Sequence, residues 1–114
     1  MSTPKYLCMY RGAPSGNKQS PSPAQMQEMF AAFNAWRDQF KANIVDMGSK
    51  LKSTGKVLTP SGVTDGPFAE AKEIVAGFMI LTADDYEGAV AVMKAMPGMQ
   101  QPGACVEIRE MASH

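Results

Sequence analysis

The chain has 114 residues, with eleven basic and eleven acidic side chains, so its formal charge at neutral pH is zero. This length predicts a single domain, 1–114, with a hydrophobic core of its own. Because no charge excess attracts polyanions, we expect neither nucleic acid nor a membrane surface as a partner. No apolar run approaches the ~18 residues of a membrane span, and the first residues lack a signal-peptide pattern, so we expect a cytoplasmic protein.

The first half of the chain predicts a strand followed by a long helix. A short run rich in aromatic and apolar residues, 5–11, favours a strand, and a polar loop follows it. Ser22 is expected to cap the helix, with Pro23 at the first helical position and Gln25 completing a capping box. The helix is predicted to end at Gly48. Its core face is predicted to contain Met26, Met29, Phe30, Phe33, Trp36, Phe40, Ile44 and Met47.

The middle of the chain predicts a bent hairpin arm and then a central strand. Short strands are expected around Leu51 and over 56–59, with breaker residues after each. The segment 73–82 is the most apolar of the chain and therefore predicts a strand in the centre of the sheet.

The last third predicts a second helix and a half-buried strand. Asp84 and Glu87 have the spacing of a capping box, and Pro97 with Gly98 is expected to stop the helix. The apolar face of this helix is predicted to comprise Tyr86, Ala89, Val90, Met93 and Met96. The strand 104–111 alternates, with Ala104, Val106 and Ile108 on one face and Cys105, Glu107, Arg109 and Met111 on the other.

The order of these elements predicts an α+β fold of the ferredoxin-like βαββαβ type. In this topology both helices cover one face of an antiparallel sheet, and the first and last strands are neighbours. The other face has no helices although it contains apolar side chains. We therefore expect a homodimer in which two sheets pack together.

The run from Val63 to Glu73 is the most distinctive local pattern. Asp65, Gly66 and Pro67 together predict a turn, because an aspartate, a glycine and a fixed φ each favour one. Three charged residues then stand at the start of the following strand: Glu70, Lys72 and Glu73. They are either solvated charges that protect a strand end or a polar patch at a cleft.

The segment 64–73, TDGPFAEAKE, resembles the signature of the DGPF-domain proteins, a branch of the YCII-related superfamily. Similar patterns occur at 6–12, at Ala35-Trp36, at 55–57 and at 106–111, so the resemblance covers most of the chain. It implies a dimeric α+β barrel, in agreement with the topology predicted from periodicity.

The resemblance also implies two kinds of activity. Some relatives are enzymes that act on aromatic ring compounds with a histidine–aspartate pair, and others are linked to extracytoplasmic-function sigma factors. The single histidine here is His114, and Phe33 stands where relatives often have histidine. Because a catalytic imidazole must be held close to its proton, the pair is expected to be absent.

The remaining polar residues suggest a site near the sheet and the dimer cleft. Without a histidine, acid–base chemistry would depend on carboxylates, and the catalytic candidates are Asp65, Glu70 and Glu73. Ligand-binding candidates are Tyr10, Arg11, Asp65, Lys72, Glu107 and Arg109. We expect Glu107 and Arg109 to lie near Tyr6 and Tyr10 if the first strand shares their face. An interface network of ion pairs is the alternative interpretation of these charges.

No cofactor or metal is expected. The two cysteines, Cys8 and Cys105, lack the spacing of a zinc site and predict buried thiols on strands. The lysines at 50, 52 and 56 predict solvated protection of a strand edge.

Three hypotheses for function follow. In the first, a small dimeric protein binds a small aromatic or anionic molecule in a cleft. In the second, a lyase- or isomerase-like enzyme uses carboxylates in the same cleft. In the third, which only the family resemblance suggests, the protein is a regulatory partner of a sigma factor.

Overall fold

A computed structural model of the chain describes residues 3–12, 22–66, 74–100 and 102–112. Its strands are β1 (Lys5–Gly12), β2 (Ile44–Lys50), β3 (Gly55–Thr59), β4 (Gly62–Gly66), β5 (Ile74–Thr82) and β6 (Cys105–Glu110). Its helices are α1 (Pro23–Gln39) and α2 (Tyr86–Lys94). Four strands form an antiparallel sheet in the order β2-β5-β1-β6, and β3 pairs with β4 in a separate hairpin, which we call the arm.

This architecture confirms the predicted α+β, ferredoxin-like fold. The apolar segment predicted to be central is β5, between β2 and β1, and the last strand lies beside the first at the sheet edge. Both helices pack on the same face, since Trp36 of α1 and Val92 of α2 share one core cluster with Cys8, Met79 and Leu81 of the sheet. No helix among the described residues is long and apolar enough to cross a membrane.

The start of α1 is as predicted. The Ser22 hydroxyl accepts a hydrogen bond from the Gln25 amide, and the Gln25 side chain accepts one from the Ser22 amide. Pro23 opens the helix. These reciprocal bonds satisfy amides that have no partner within the helix.

The predicted end of α1 was wrong. The helix ends at Gln39, and Ile44 and Met47 belong to β2 rather than to the helical stripe. Asn43 lies between α1 and β2, and its side-chain amide donates to the carbonyl oxygen of Thr82 in β5 at 2.9 Å. Because the pairing of β2 with β5 is irregular, Ile44 and Met47 both face the core although they are three residues apart. A spacing of three residues is also typical of one side of a helix.

The core face predicted for α1 is buried only in its second half. Trp36 is buried and donates its indole N–H to the Val92 carbonyl oxygen at 2.9 Å. Met26, Met29 and Phe30 are exposed in the chain, contrary to the prediction of a core face along the whole helix.

Two local predictions in the arm region need correction. Leu51 lies after β2 rather than in a strand of its own, although the expected strand at 56–59 is β3. The turn predicted at 65–67 does not begin at Asp65, because Asp65 and Gly66 continue β4 and pair with Lys56 and Gly55. Pro67 and the rest of that run lie outside the described residues.

Helix α2 begins one residue later than predicted. Asp85 is the cap, and its carboxylate accepts a hydrogen bond from the Gly88 amide at 2.8 Å. The buried face of α2 comprises Ala89, Val92 and Met93, whereas Tyr86 and Val90 of the predicted face are exposed. Ala89, Val92 and Met93 are three and four residues apart and therefore share one side of the helix, and Val90 lies at the margin of that side.

Candidate functional site

A cavity of about 510 Å³ opens between α1 and the β2–β5–β1 part of the sheet. Among the described residues, eleven line it: Tyr10, Phe33, Met47, Ser49, Lys50, Leu51, Ala76, Gly77, Phe78, Met79 and Met96. The volume is within the usual range of small-molecule pockets. Most of the lining is apolar, as in sites that enclose an organic ligand.

Tyr10 contributes a polar side chain to the wall of this cavity that the sheet forms. It is opposite Gly77 in the pairing of β1 with β5. A Cβ atom at position 77 would lie 3.2 Å from a ring carbon of Tyr10, so a glycine there leaves room for the ring. The tyrosine is therefore positioned by the register of two central strands.

Among the described residues, the hydrogen-bond partners of the Tyr10 hydroxyl are methionine sulfurs. It donates to the Met96 sulfur at 3.1 Å, and the Met79 sulfur is 4.0 Å away. Burial raises the pKa of Tyr10 to about 12, with a smaller contribution from the neighbouring Cys8. The group is therefore a neutral hydrogen-bond donor at any physiological pH. A thioether is a weak acceptor, so a ligand oxygen would be a better partner for this donor.

A bulge in β2 shapes the second wall. Gly48 has a φ of 66°, and its amide donates to the Asp46 carboxylate at 2.8 Å. The bulge carries Met47, Ser49 and Lys50 into the lining. Gly48 is packed so closely on β5 that a Cβ atom would lie 1.8 Å from the Phe78 carbonyl oxygen.

Helix α1 supplies the third wall through Phe33. The ring of Phe33 lies 5.5 Å from that of Trp36, measured between centroids. Trp36 is in turn held by its bond to Val92, so the helix and the cavity wall are fixed together. Trp36 is the single tryptophan of the chain. Because it contacts Phe33 of the cavity wall, its fluorescence can report on ligand binding.

In the part of the lining that the structure describes, the titratable side chains are those of Tyr10 and Lys50. Lys50 is exposed, so its ammonium group remains hydrated at the mouth. This arrangement can bind an apolar body, offer one neutral donor to an oxygen, and attract a negative substituent at the rim.

The charged candidates Arg11, Glu107 and Arg109 lie on the opposite face of the sheet. Arg11 and Glu107 form an ion pair of 3.3 Å, and both side chains are about 40% exposed. The alternation predicted for β6 is confirmed, since Val106 and Ile108 pack against the core. The expected proximity of Tyr6 and Tyr10 to these charges was wrong, because both tyrosines are on the helix-covered face with Cys8.

The remaining candidates are on the arm or beyond the described residues. Asp65 forms an ion pair with Lys56, its partner across the hairpin, and both side chains are largely exposed. Glu70, Lys72 and Glu73 lie outside the described residues. Within one chain, the structure thus separates Tyr10 from the sheet-face charges and from Asp65.

The thiols differ in environment. Cys8 is buried, as predicted, and burial raises its pKa to about 11. Cys105 is exposed, so the prediction of a buried thiol was wrong for it. Among the described residues, no three histidine, cysteine, aspartate or glutamate side chains are grouped to hold a metal ion.

Several cavity residues were predicted only as core. Met96 and Phe33 were assigned to apolar helix faces, and Gly77 and Met79 to a central strand. Gly77 could have been identified from the sequence, because a glycine inside an apolar strand often indicates that another group packs closely against the backbone.

The fold and the cavity define a small α+β protein with a ferredoxin-like sheet and an apolar pocket beneath its first helix. The family model of the YCII-related domain matches residues 5–112, so the chain belongs to the YCII-related family. None of the curated proteins compared with the chain matches it.

Proposed function

We propose that the protein is a homodimer that binds a small aromatic molecule with a neutral acceptor oxygen, such as an aromatic ketone, in the cavity beneath α1. The observation that carries this proposal is the Tyr10 hydroxyl, a donor held on thioether sulfur in an apolar cavity of about 510 Å³. A carbonyl oxygen that reached Tyr10 would replace a weak acceptor with a strong one.

The lining favours a neutral group at the Tyr10 end and permits a charge at the mouth. An ionised group placed among methionine and phenylalanine side chains would lose its hydration without a paired charge. Lys50 at the rim offers such a pairing for an anionic substituent. A ligand with an aromatic body, an inner carbonyl and an outer negative group would satisfy both ends.

Binding is proposed rather than turnover because the lining lacks a carboxylate or imidazole among the described residues. General acid–base catalysis at neutral pH needs a group that titrates near that pH, and Tyr10 titrates far above it. Asp65, a catalytic candidate, is on the arm rather than in the lining.

The test compares two ligands of similar shape, acetophenone and ethylbenzene, by calorimetry and by quenching of Trp36 fluorescence. We expect saturable binding of acetophenone with one site per chain. Tyr10→Phe should weaken acetophenone binding by roughly three- to tenfold, the value of one hydrogen bond to a neutral acceptor, and should leave ethylbenzene binding unchanged.

Tyr86→Phe is the matched control, because it removes a tyrosine hydroxyl that is bonded to the Glu110 amide, away from the cavity lining. It should bind both ligands as the parent protein does. Absence of saturable acetophenone binding, or an equal effect of Tyr10→Phe on both ligands, would disprove the proposed site.

A further inference from the structure

The sulfur of Met96 lies where a ligand oxygen would meet the Tyr10 hydroxyl. It accepts the hydrogen bond of that hydroxyl at 3.1 Å, whereas the sulfur of Met79 is farther away, at 4.0 Å. Met96 lines the cavity and is 7% exposed. A tyrosine hydroxyl has one proton to donate, so a ligand oxygen that accepts it replaces the Met96 sulfur as its partner.

The backbone of Met96 is held in place, whereas its side chain can move. Its amide donates to the Met93 carbonyl oxygen at 3.1 Å, and its own carbonyl oxygen accepts from the Met99 amide at 3.2 Å. The preceding helix, α2, is bonded to α1 through the indole of Trp36 and the carbonyl of Val92. A methionine side chain has three rotatable bonds, so the sulfur can withdraw from the hydroxyl without a change in the fold.

The gain from this exchange depends on the acceptor that the ligand brings. A thioether sulfur is a weak acceptor, so a ketone oxygen that replaces it gains free energy. The oxygen of an aryl ether is itself a weak acceptor, and its exchange for sulfur is close to balanced. A hydrocarbon leaves the bond from Tyr10 to Met96 intact.

We propose that Met96 is a specificity-determining residue, which holds the Tyr10 hydroxyl and selects ligands by the strength of their acceptor. The inference rests on the ligand site proposed above and adds a second residue to its recognition of the carbonyl. Without the sulfur, the hydroxyl would have a poorer partner in the unliganded protein. Even a weak acceptor would then gain from binding, and the preference for ketones over ethers of similar shape would fall.

The test compares acetophenone, anisole and ethylbenzene in the parent protein and in Met96→Leu. Leucine has a similar volume but no acceptor, so the lining remains apolar and filled. The readout is the affinity of each oxygen-containing ligand relative to ethylbenzene, because a change in cavity shape alters the affinities of all three. In the parent protein, anisole should bind about as tightly as ethylbenzene. In Met96→Leu, the relative affinities of anisole and acetophenone should rise by roughly three- to tenfold, as expected for one hydrogen bond.

Met96→Gln tests the same idea in the opposite direction. It places an amide oxygen, a strong acceptor, near the position of the sulfur, so acetophenone should lose most of its advantage over ethylbenzene. This variant also keeps the proposal testable if Met96→Leu fails to fold, and urea unfolding shows which variants are folded.

Two controls separate this role from a structural one. Met93→Leu makes the same substitution at a buried residue of α2 that is not among the described lining residues, and it should leave both relative affinities unchanged. In a Tyr10→Phe background, Met96→Leu should also have no effect on them, because the hydroxyl through which Met96 acts is gone.

The outcomes distinguish this inference from the ligand site on which it rests. If Tyr10→Phe weakens acetophenone binding but the folded Met96 variants keep the relative affinities of the parent protein, the role of Met96 is overturned and the site stands. An equal effect of Met96→Leu with and without the Tyr10 hydroxyl also overturns that role. Absence of saturable acetophenone binding overturns the site and this inference together.

Discussion

Tyr10 lies on a central strand of the sheet, and its hydroxyl donates to a weak acceptor, the sulfur of Met96. The ring packs over Gly77, while the hydroxyl donates to sulfur rather than to oxygen or nitrogen within the described part of the chain. A buried donor usually has an oxygen partner, because a weak acceptor repays little of the lost hydration. This weak pairing is the reason for placing Tyr10 at the centre of the proposed ligand site.

The raised pKa of Tyr10 predicts a loss of stability at high pH. The folded protein holds the proton until about pH 12, whereas the unfolded chain releases it near pH 10. Between these values the unfolded state binds fewer protons, so the free energy of unfolding falls as the pH rises. Cys8 acts in the same direction, with a folded pKa of about 11 against an ordinary value of 9.0.

Urea unfolding at pH 9 and at pH 11.5 measures this effect in the parent protein and in Tyr10→Phe. The variant should lose less stability between the two pH values, because only the Cys8 contribution of the pair remains. Parallel losses in the two proteins would show that the Tyr10 proton is not held more tightly in the folded state.

The backbone path of β2 depends on Gly48 as well as on the apolar residues of the strand. The positive φ of Gly48 and its approach to the Phe78 carbonyl oxygen leave no room for a side chain. Gly48→Ala should reduce the free energy of unfolding by roughly 2–5 kcal/mol, the combined cost of a left-handed backbone and a steric clash. Urea unfolding measures the change, and acetophenone binding reports whether the cavity wall has shifted.

Gly103→Ala is the matched control for this substitution. Gly103 also has a positive φ, 82°, but a Cβ atom there would have no neighbour within 4 Å. This variant should lose only about 1–2 kcal/mol, the backbone cost alone, and should bind ligand normally. Equal losses for the two variants would mean that close packing on β5 contributes nothing at Gly48.

The same strand shows where prediction from sequence stops. The Ser22–Gln25 capping box and the apolar strand β5 have local signals and were predicted correctly. Ile44 and Met47 were assigned to a helix because a bulge gives them helical spacing, and the bulge depends on a distant strand. Gly48 was recognised as a breaker, but its sequence neighbourhood does not say whether it ends a helix or bends a strand.

The candidate site was less predictable from the sequence than the fold, because its position depends on tertiary packing. Tyr10 and Arg11 are adjacent in sequence, yet the pleat of β1 sends them to opposite faces of the sheet. Which face carries the cavity depends on where both helices pack, and that is a tertiary property. The sequence-based candidates were charged residues, whereas most of the described lining residues are apolar and cannot be distinguished from core residues in the sequence.

At the largest scale, the proposed homodimer predicts that the stability of the protein depends on its concentration. If two copies associate, only the dimer gains the stabilisation of the interface, and dilution favours unfolding. A hundredfold dilution should lower the free energy of unfolding by roughly 2.7 kcal/mol of dimer and move the urea midpoint accordingly. A midpoint independent of concentration, in a protein that sediments as a single chain, would contradict the homodimer.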